Sequence, residues 1–249
     1  MKKMLFICMV GSLFFLTSVA TASEAGEVVS TNIVGYLTKS NSTGFTHLTP
    51  NFIDVCSEIQ SFKLNRLTGN FSDDDKIIFY SVSGKPGETL VRVQGWGGSW
   101  VDGWYDDGYT APVEDITDIK AGTSFIVWTS SATDITVSGQ VDDNDAEFNL
   151  LSGFNSIGNR THINLALDKF IFSGLQDDDK VILYNSSGKP AETLVRVQGW
   201  GGSWADGWYD DGYTAPIGAT TIIKPSDGFF LYTTGTKVSV KIPNNDGDI

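Results

Sequence analysis

Three carboxylates, Asp102, Asp106 and Asp107, crowd three tryptophans, Trp96, Trp100 and Trp104, in the segment GWGGSWVDGWYDDGYTAP from Gly95 to Pro112. The segment returns from Gly199 to Pro216 with a single change, setting Asp206, Asp210 and Asp211 beside Trp200, Trp204 and Trp208. A glycoside hydrolase needs only two carboxylates facing each other across a cleft. A near-identical duplication fits two equal binding or assembly surfaces better than one asymmetric catalytic centre. The expectation is therefore a protein that is not an enzyme.

Other chemistries lack their residues. The two histidines, His47 and His162, do not occupy equivalent places in the repeat, and no His-x-x-x-His or paired-cysteine spacing exists to build a zinc site. SGKP lacks the glycine spacing and the hydroxyl of a phosphate loop, and no Gly-x-Ser-x-Gly elbow occurs. The turns DDDK, WYDDG, VDDNDAE and NNDGD cluster the oxygen ligands that Ca²⁺ takes, but none has the spacing of a calcium loop. They read as solvated turns, with no cofactor expected and calcium the one candidate ion.

Residues 1–22 hold two lysines, a short apolar run and then Ala20-Thr21-Ala22, the pattern of a signal peptide cleaved after Ala22. The run is broken by Gly11, Ser12, Thr17 and Ser18, and falls short of the roughly 20 apolar residues a spanning helix needs. A secreted protein is expected, whether periplasmic, cell-surface or extracellular, with no membrane span in its mature form. Cleavage leaves Cys56 alone, without an internal disulfide partner, and a buried thiol is expected there. The formal charge of -13 becomes -15 once Lys2 and Lys3 leave with the leader. Such a surface repels nucleic acid phosphates and anionic lipid, so no nucleic acid partner is expected.

The elements that must position the tryptophans are themselves repeated. DDDKIIFYSVSGKPGETLVRVQ (Asp73 to Gln94) recurs as DDDKVILYNSSGKPAETLVRVQ (Asp177 to Gln198), and IKAGTSFIVW (Ile119 to Trp128) as IKPSDGFFLY (Ile223 to Tyr232). Units of this length are too long for a solenoid and read as two homologous domains. The first spans residues 23–139 and carries an extra N-terminal strand, VVSTNIVGYL, with no clear counterpart in the second. An acidic hinge at 140–147, a second domain at 148–243 and an acidic tail at 244–249 follow. KIIFY, TLVRVQ, FIVW and ITVSGQV are short, β-branched or aromatic, and bounded by turn residues. Helical spacing appears only around CSEIQSFKL and INLALDKF, enough for a turn or two. The fold class is all-β: two tandem antiparallel β-sandwich or barrel-like domains after the leader.

NIVGYL after the leader, GF…GN opening a repeat, the GWYDDG clause, KPSDGFFLY and the closing strand KVSVKI resemble a group of uncharacterised secreted bacterial proteins with tandem all-β repeats, of verrucomicrobial and lentisphaeral type. The resemblance implies export and a β fold. It implies no activity, since the group has none assigned.

Folding the tryptophan segment as a hairpin at Gly97-Gly98-Ser99 sets Trp96 opposite Trp100, Gln94 opposite Asp102, Arg92 opposite Trp104 and Val91 opposite Tyr105. Alternation then puts Val91, Val93, Val101 and Tyr105 on a core face. The other face is a mixed binding or assembly surface of Arg92, Gln94, Trp96, Trp100, Asp102 and Trp104. Its second copy is Arg196, Gln198, Trp200, Trp204, Asp206 and Trp208. Between Lys85–Val113 and Lys189–Ile217 only Gly87/Ala191, Val101/Ala205 and Val113/Ile217 differ, and none lies on that face.

The function expected from these features is that of an exported, non-enzymatic surface or extracellular structural protein. Its partners would be other copies of itself, joined by strand addition at a free sheet edge, or cell-surface proteins. The alternative is a carbohydrate-binding protein that holds polysaccharide on the duplicated tryptophans.

Overall fold

A computed structural model describes residues 34–41, 43–53, 61–98, 100–113, 117–120, 122–141, 145–202 and 204–243. The expected leader, residues 23–33, Cys56, the hinge carboxylates Asp142 and Asp143 and the acidic tail lie outside these residues. The first half contributes β1 (Val34–Asn41), β2 (Gly44–Leu48), β3 (Phe52–Ile53), β4 (Ser61–Lys63), β5 (Leu67–Gly69) and β6 (Lys76–Tyr80). β7 (Pro86–Gly97), β8 (Trp100–Asp106), β9 (Asp118–Lys120), β10 (Phe125–Thr129) and β11 (Thr133–Val141) complete it. The second half opens with β12 (Ala146–Leu150), β13 (Gly153–Gly158), β14 (Leu165–Ala166), β15 (Ile171–Ser173) and β16 (Lys180–Tyr184). It closes with β17 (Pro190–Gly201), β18 (Trp204–Asp210), β19 (Ile222–Ile223), β20 (Gly228–Thr233) and β21 (Val238–Ile242).

All strand pairs are antiparallel, and the protein is all-β. One five-stranded sheet runs β2-β10-β6-β7-β8 and another runs β13-β20-β16-β17-β18. Smaller sheets carry β1-β11-β3, with β5 also on β11, and β12-β21-β15; β4 pairs β9 and β14 pairs β19. No sheet among the described residues closes into a barrel. Of the stretches read as helical, INLALDKF forms a single 3-10 turn at Leu167–Lys169. CSEIQSFKL runs through strand β4 and meets the 3-10 turn Leu64–Arg66 only at its last residue, its residues 56–60 lying outside the described ones. Each turn wraps one buried leucine, Leu64 or Leu167, into the core before the chain extends again.

Period-two alternation builds the cores. Ile77, Leu90, Phe125 and Val127 of one sheet and Ile135 and Val137 of β11 share a single buried cluster. Val181, Leu194, Phe229, Leu231, Val238 and Val240 do the same in the second half. Burying each such side chain contributes about 1.5–3 kcal/mol. Asp75 and Asp179 are also fully buried. Asp75 accepts the N–H of Ser72 (2.8 Å) and both the N–H and hydroxyl of Ser130 (2.8 Å each). Asp179 accepts from Gln176, Thr233 and Thr234 in the same way. Their lone pairs are met by fixed donors, which is what makes a buried carboxylate tolerable.

Of VVSTNIVGYL, which the sequence left without a counterpart, the described residues 34–37 open β1, and β1 has a counterpart by position. β1 pairs β11 along all of Val34–Asn41, and β12 stands in the same relation to β21. β12 is AEFNL, in which only Ala146 and Leu150 are buried, so its composition gives little sign of a strand. β11 runs on to Val141 and β12 starts at Ala146, so residues 140–141 and 146–147 of the expected hinge lie in strands.

The halves grip each other through matched backbone contacts. Phe45 donates its N–H to Ser186 O (2.7 Å), and Phe154 donates to Val82 O (2.8 Å). Thr49 donates to Ser226 O and Ser124 to Ser156 O. Ile126 and Phe230 point away from their own cores, yet each is only 2% exposed. The Phe230 ring is the hub, with His47, Tyr80, Tyr184 and Phe154 at centroid distances of 4.6, 4.9, 5.3 and 6.3 Å. This explains why β10 and β20 are apolar on both faces.

His47 sits in this junction, its Nε2 2.7 Å from Ser156 Oγ. Burial, and then the nearby ammonium of Lys39 (itself paired with Asp227), hold its pKa down at about 3. Between the ordinary value of 6.5 and 3, the unfolded chain binds a proton that the folded protein refuses. Stability should therefore fall as pH falls through that window, by about 2 kcal/mol from this group between pH 7 and 5. Urea unfolding at both pH values checks it: His47→Gln should show a loss about 2 kcal/mol smaller than wild type. Equal losses would contradict the assignment.

Candidate functional site

β7 and β8 pair Leu90 with Asp106, Val91 with Tyr105, Arg92 with Trp104, Val93 with Gly103 and Gln94 with Asp102. The partners expected for Val91, Arg92 and Gln94 are thus the ones found. Trp96 differs. An extra residue is accommodated between Gln94 and Gly97, so that Gly97 rather than Trp96 lies opposite Trp100, and the connection is two positions, 98 and 99. Gly95 (φ +74°) and Gly97 (φ +89°) take the left-handed conformations that let the bulge form. β17 and β18 repeat the arrangement, closing at Gly201 opposite Trp204.

The bulge divides the expected mixed face. Arg92, Gln94, Asp102 and Trp104 stay together on the side of the sheet that faces the core. Trp104 is 3% exposed and meets Phe71 edge-on at 5.0 Å. The Arg92 guanidinium lies 5.9 Å from the Trp104 ring centre and 2.7 Å from an Asp102 oxygen. Gln94 donates its side-chain N–H to Phe71 O (2.6 Å) and its backbone N–H to Asp73 (2.6 Å). In the second copy Arg196 pairs with Asp206 (2.5 Å) and lies 6.0 Å from Trp208, which meets Phe172. Gln198 likewise donates to Leu175 O and Asp177. A shallow groove runs beside each group, about 210 Å³ in the first half and about 310 Å³ in the second.

The assignment of core and surface is corrected accordingly. Val91, Val93, Val101 and Tyr105, expected to face the core, lie on the opposite side of the sheet from Trp104. Val91, Val93 and Tyr105 are nonetheless buried there, and only Val101 is open to solvent. Alternation dictates which residues share a side. It does not say which side is the core when both carry large apolar groups.

Trp96 and Trp100 belong with the tyrosines. Trp96 lies 5.6 Å from Trp100 and 5.5 Å from Tyr109, and Trp100 lies 5.4 Å from Tyr105 and 6.2 Å from Tyr109. In the second half the matching distances for Trp200, Trp204, Tyr209 and Tyr213 are 5.5, 5.4, 5.3 and 6.3 Å. Val101 has no ladder partner; the Tyr105 hydroxyl bonds its N–H and C=O instead, both at 3.1 Å. That bond draws Tyr105 back along its own strand beneath Trp100. Trp96 and Trp200 remain 51% and 50% exposed.

Local turns hold the rings. Asp106 accepts the Thr110 N–H (2.8 Å) and the Thr110 hydroxyl, closing a turn that carries Tyr109 at φ +55°. Those two bonds hold the Asp106 carboxyl below the usual range, and Thr214 does the same to Asp210. The Tyr109 hydroxyl donates to Asp74 (3.0 Å), and Tyr213 donates to Asp178. Burial first and then that hydrogen bond raise the pKa of Tyr109; for Tyr213 the bond to Asp178 leads, pushing it up to about 12. The Asp73-Asp74-Asp75 cluster thus meets the protein's own donors, one residue to Gln94, one to Tyr109 and one to Ser72 and Ser130.

The sequence reading missed Tyr109 and Tyr213; Tyr105, expected on the core face, is buried, but against Trp100 on the side of the sheet opposite Trp104. The available signal was the Asp-Asp-Gly turn, which folds the next aromatic back over the hairpin. Among the described residues, no three His, Cys, Asp or Glu side chains are placed to hold a metal ion, and no helix is long and apolar enough to cross a membrane. His47 lies in the junction between the halves and His162 on the surface. Comparison of the chain with protein-family models, with characterised proteins and with solved structures finds no match.

Proposed function

We propose that this is an exported, non-enzymatic carbohydrate-binding protein built from two duplicated β-sandwich units, with one binding surface at each hairpin tip. The observation that carries the reading is the pair of half-exposed indoles, Trp96 and Trp200, each backed by a second tryptophan and a tyrosine in ring clusters that agree to within 0.1 Å. An indole braced in this way offers a flat apolar face without having to be ordered on binding. Asp107, exposed on the turn that carries Tyr109, supplies acceptors for hydroxyl groups at the rim. Asp106 and Asp210 are held ionised, which suits acceptors and disfavours a general acid. The net charge of -13 favours uncharged over acidic polymers.

The assembly reading loses one motive and keeps another. Residues 34–37 of the N-terminal segment are already paired with β11 as part of β1, which leaves them less suited to pairing with a neighbour. Tyr36, 77% exposed on β1, still offers a contact point at a sheet edge.

Native electrophoresis through gels containing a soluble β-glucan, a xyloglucan or a galactomannan tests the proposal. At least one should retard the wild type, and the Trp96→Ala/Trp200→Ala variant should migrate as in a plain gel. No retardation by any of the three, or equal retardation of the variant, would overturn it. Self-association in sedimentation that Tyr36→Ser abolishes would support assembly instead.

A further inference from the structure

We infer that the two tips make the protein a rigid cross-linker of glycan chains, an inference that rests on the carbohydrate reading above. Each tip sits at one end of a long strand whose other end is fixed to the opposite half. β7 begins beside the turn whose Val82 carbonyl accepts from Phe154, and it ends at the Gly97 tip after a run of twelve residues. At about 3.3 Å per residue, that strand sets the tip roughly 35 Å from the Val82 contact and roughly 20 Å beyond the level of Phe45, which pairs across to Val91. β17 repeats this from Ser186, which accepts from Phe45, to Gly201. Each hairpin's inner turn thus lies alongside the middle of the other half's sheet, Ser186 at the level of Val91 and Val82 at the level of Val195, so the two hairpins run antiparallel and their tips point in opposite directions.

Three consequences follow from that placement. A short oligosaccharide cannot bridge both tips of one molecule, so the two sites engage separate chains or distant segments of one chain. The reciprocal hydrogen bonds and the Phe230 hub hold the tips in a fixed relation, so capture by the first does not fold the second out of reach. The two clusters have the same composition and geometry, so both tips take the same ligand class, an uncharged polysaccharide.

Light scattering tests it, using the full chain and whichever of the β-glucan, xyloglucan and galactomannan retards it in gels. Wild type should raise the hydrodynamic size of the polysaccharide at least tenfold near one tip per occupied site, with a fall at large protein excess. Trp96→Ala and Trp200→Ala singly should each still be retarded in gels yet raise the size less than twofold, as should their equimolar mixture. Growth with a single-tip variant equal to wild type, or wild-type retardation without growth, would overturn the cross-linker while leaving carbohydrate binding intact. Absence of wild-type retardation would overturn both.

Discussion

Trp104→Ala should cost about 3–5 kcal/mol of stability, while Trp96→Ala, eight positions earlier in the same hairpin, should cost about 1 kcal/mol or less. Trp104 is 3% exposed, fills the core against Phe71 and carries the Arg92 guanidinium on its ring. Removing it leaves a cavity and strips Arg92 of its apolar support, and the surrounding strands cannot close the gap without breaking their pairing. Trp96 is 51% exposed, so its loss costs mainly ring contacts with Trp100 and Tyr109. Trp208 and Trp200 should repeat the contrast. Urea unfolding followed by circular dichroism measures it directly. Equal costs for the two positions would mean that the tryptophans share one environment, against the division made by the bulge.

Gly153→Ala should destabilise the chain by about 3 kcal/mol or more and loosen the junction between the halves. Gly153 has φ +106°, and a methyl group there would stand 2.3 Å from the carbonyl oxygen of Val82. That oxygen accepts the Phe154 N–H, so relieving the clash also breaks a bond that holds the halves together. Gly44→Ala repeats the test from the other side, with φ +112° and 2.1 Å to Ser186 O. Hydrogen exchange should show faster exchange at Phe154 and Phe45, with the core strands β11 and β21 least affected. Unchanged exchange at those two amides would show that the junction does not depend on the glycines.

Much of this architecture was legible in the chain because it depends on local patterning. The alternation in KIIFY and TLVRVQ, the turn residues between them and the hairpin partners of Arg92 and Gln94 all follow from residues close in sequence. The bulge was not legible, because Gly95, Gly97 and Gly98 are compatible with more than one turn and only the energetics of the finished sheet choose among them. Its consequence, the transfer of Trp96 to the side of Tyr109, was hidden with it. The exposed side of the hairpin was misread because both sides carry large apolar groups, Trp104 on one and Val91, Val93 and Tyr105 on the other. Packing of the halves was hidden for a related reason. FIVW and GFFLY read as buried strands, but nothing in them names Phe45, Tyr80 and His47 as what covers their second face.

The site itself was legible in part. Arg92 over Trp104 and the Trp96–Trp100 contact are both present. What the sequence joined into one surface is a structural group facing the core and an exposed group at the tip. The proposed binding role belongs to the second, and Asp74 and Asp178, through the Tyr109 and Tyr213 hydroxyls, are what brace it.

Isothermal titration of the full chain with a hexasaccharide of the retarding polysaccharide tests the central claim most directly. Two equivalent sites per chain are expected for wild type, one for Trp96→Ala or Trp200→Ala alone, and none for the double variant. One site in wild type, or a stoichiometry unmoved by the single substitutions, would contradict binding at the hairpin tips.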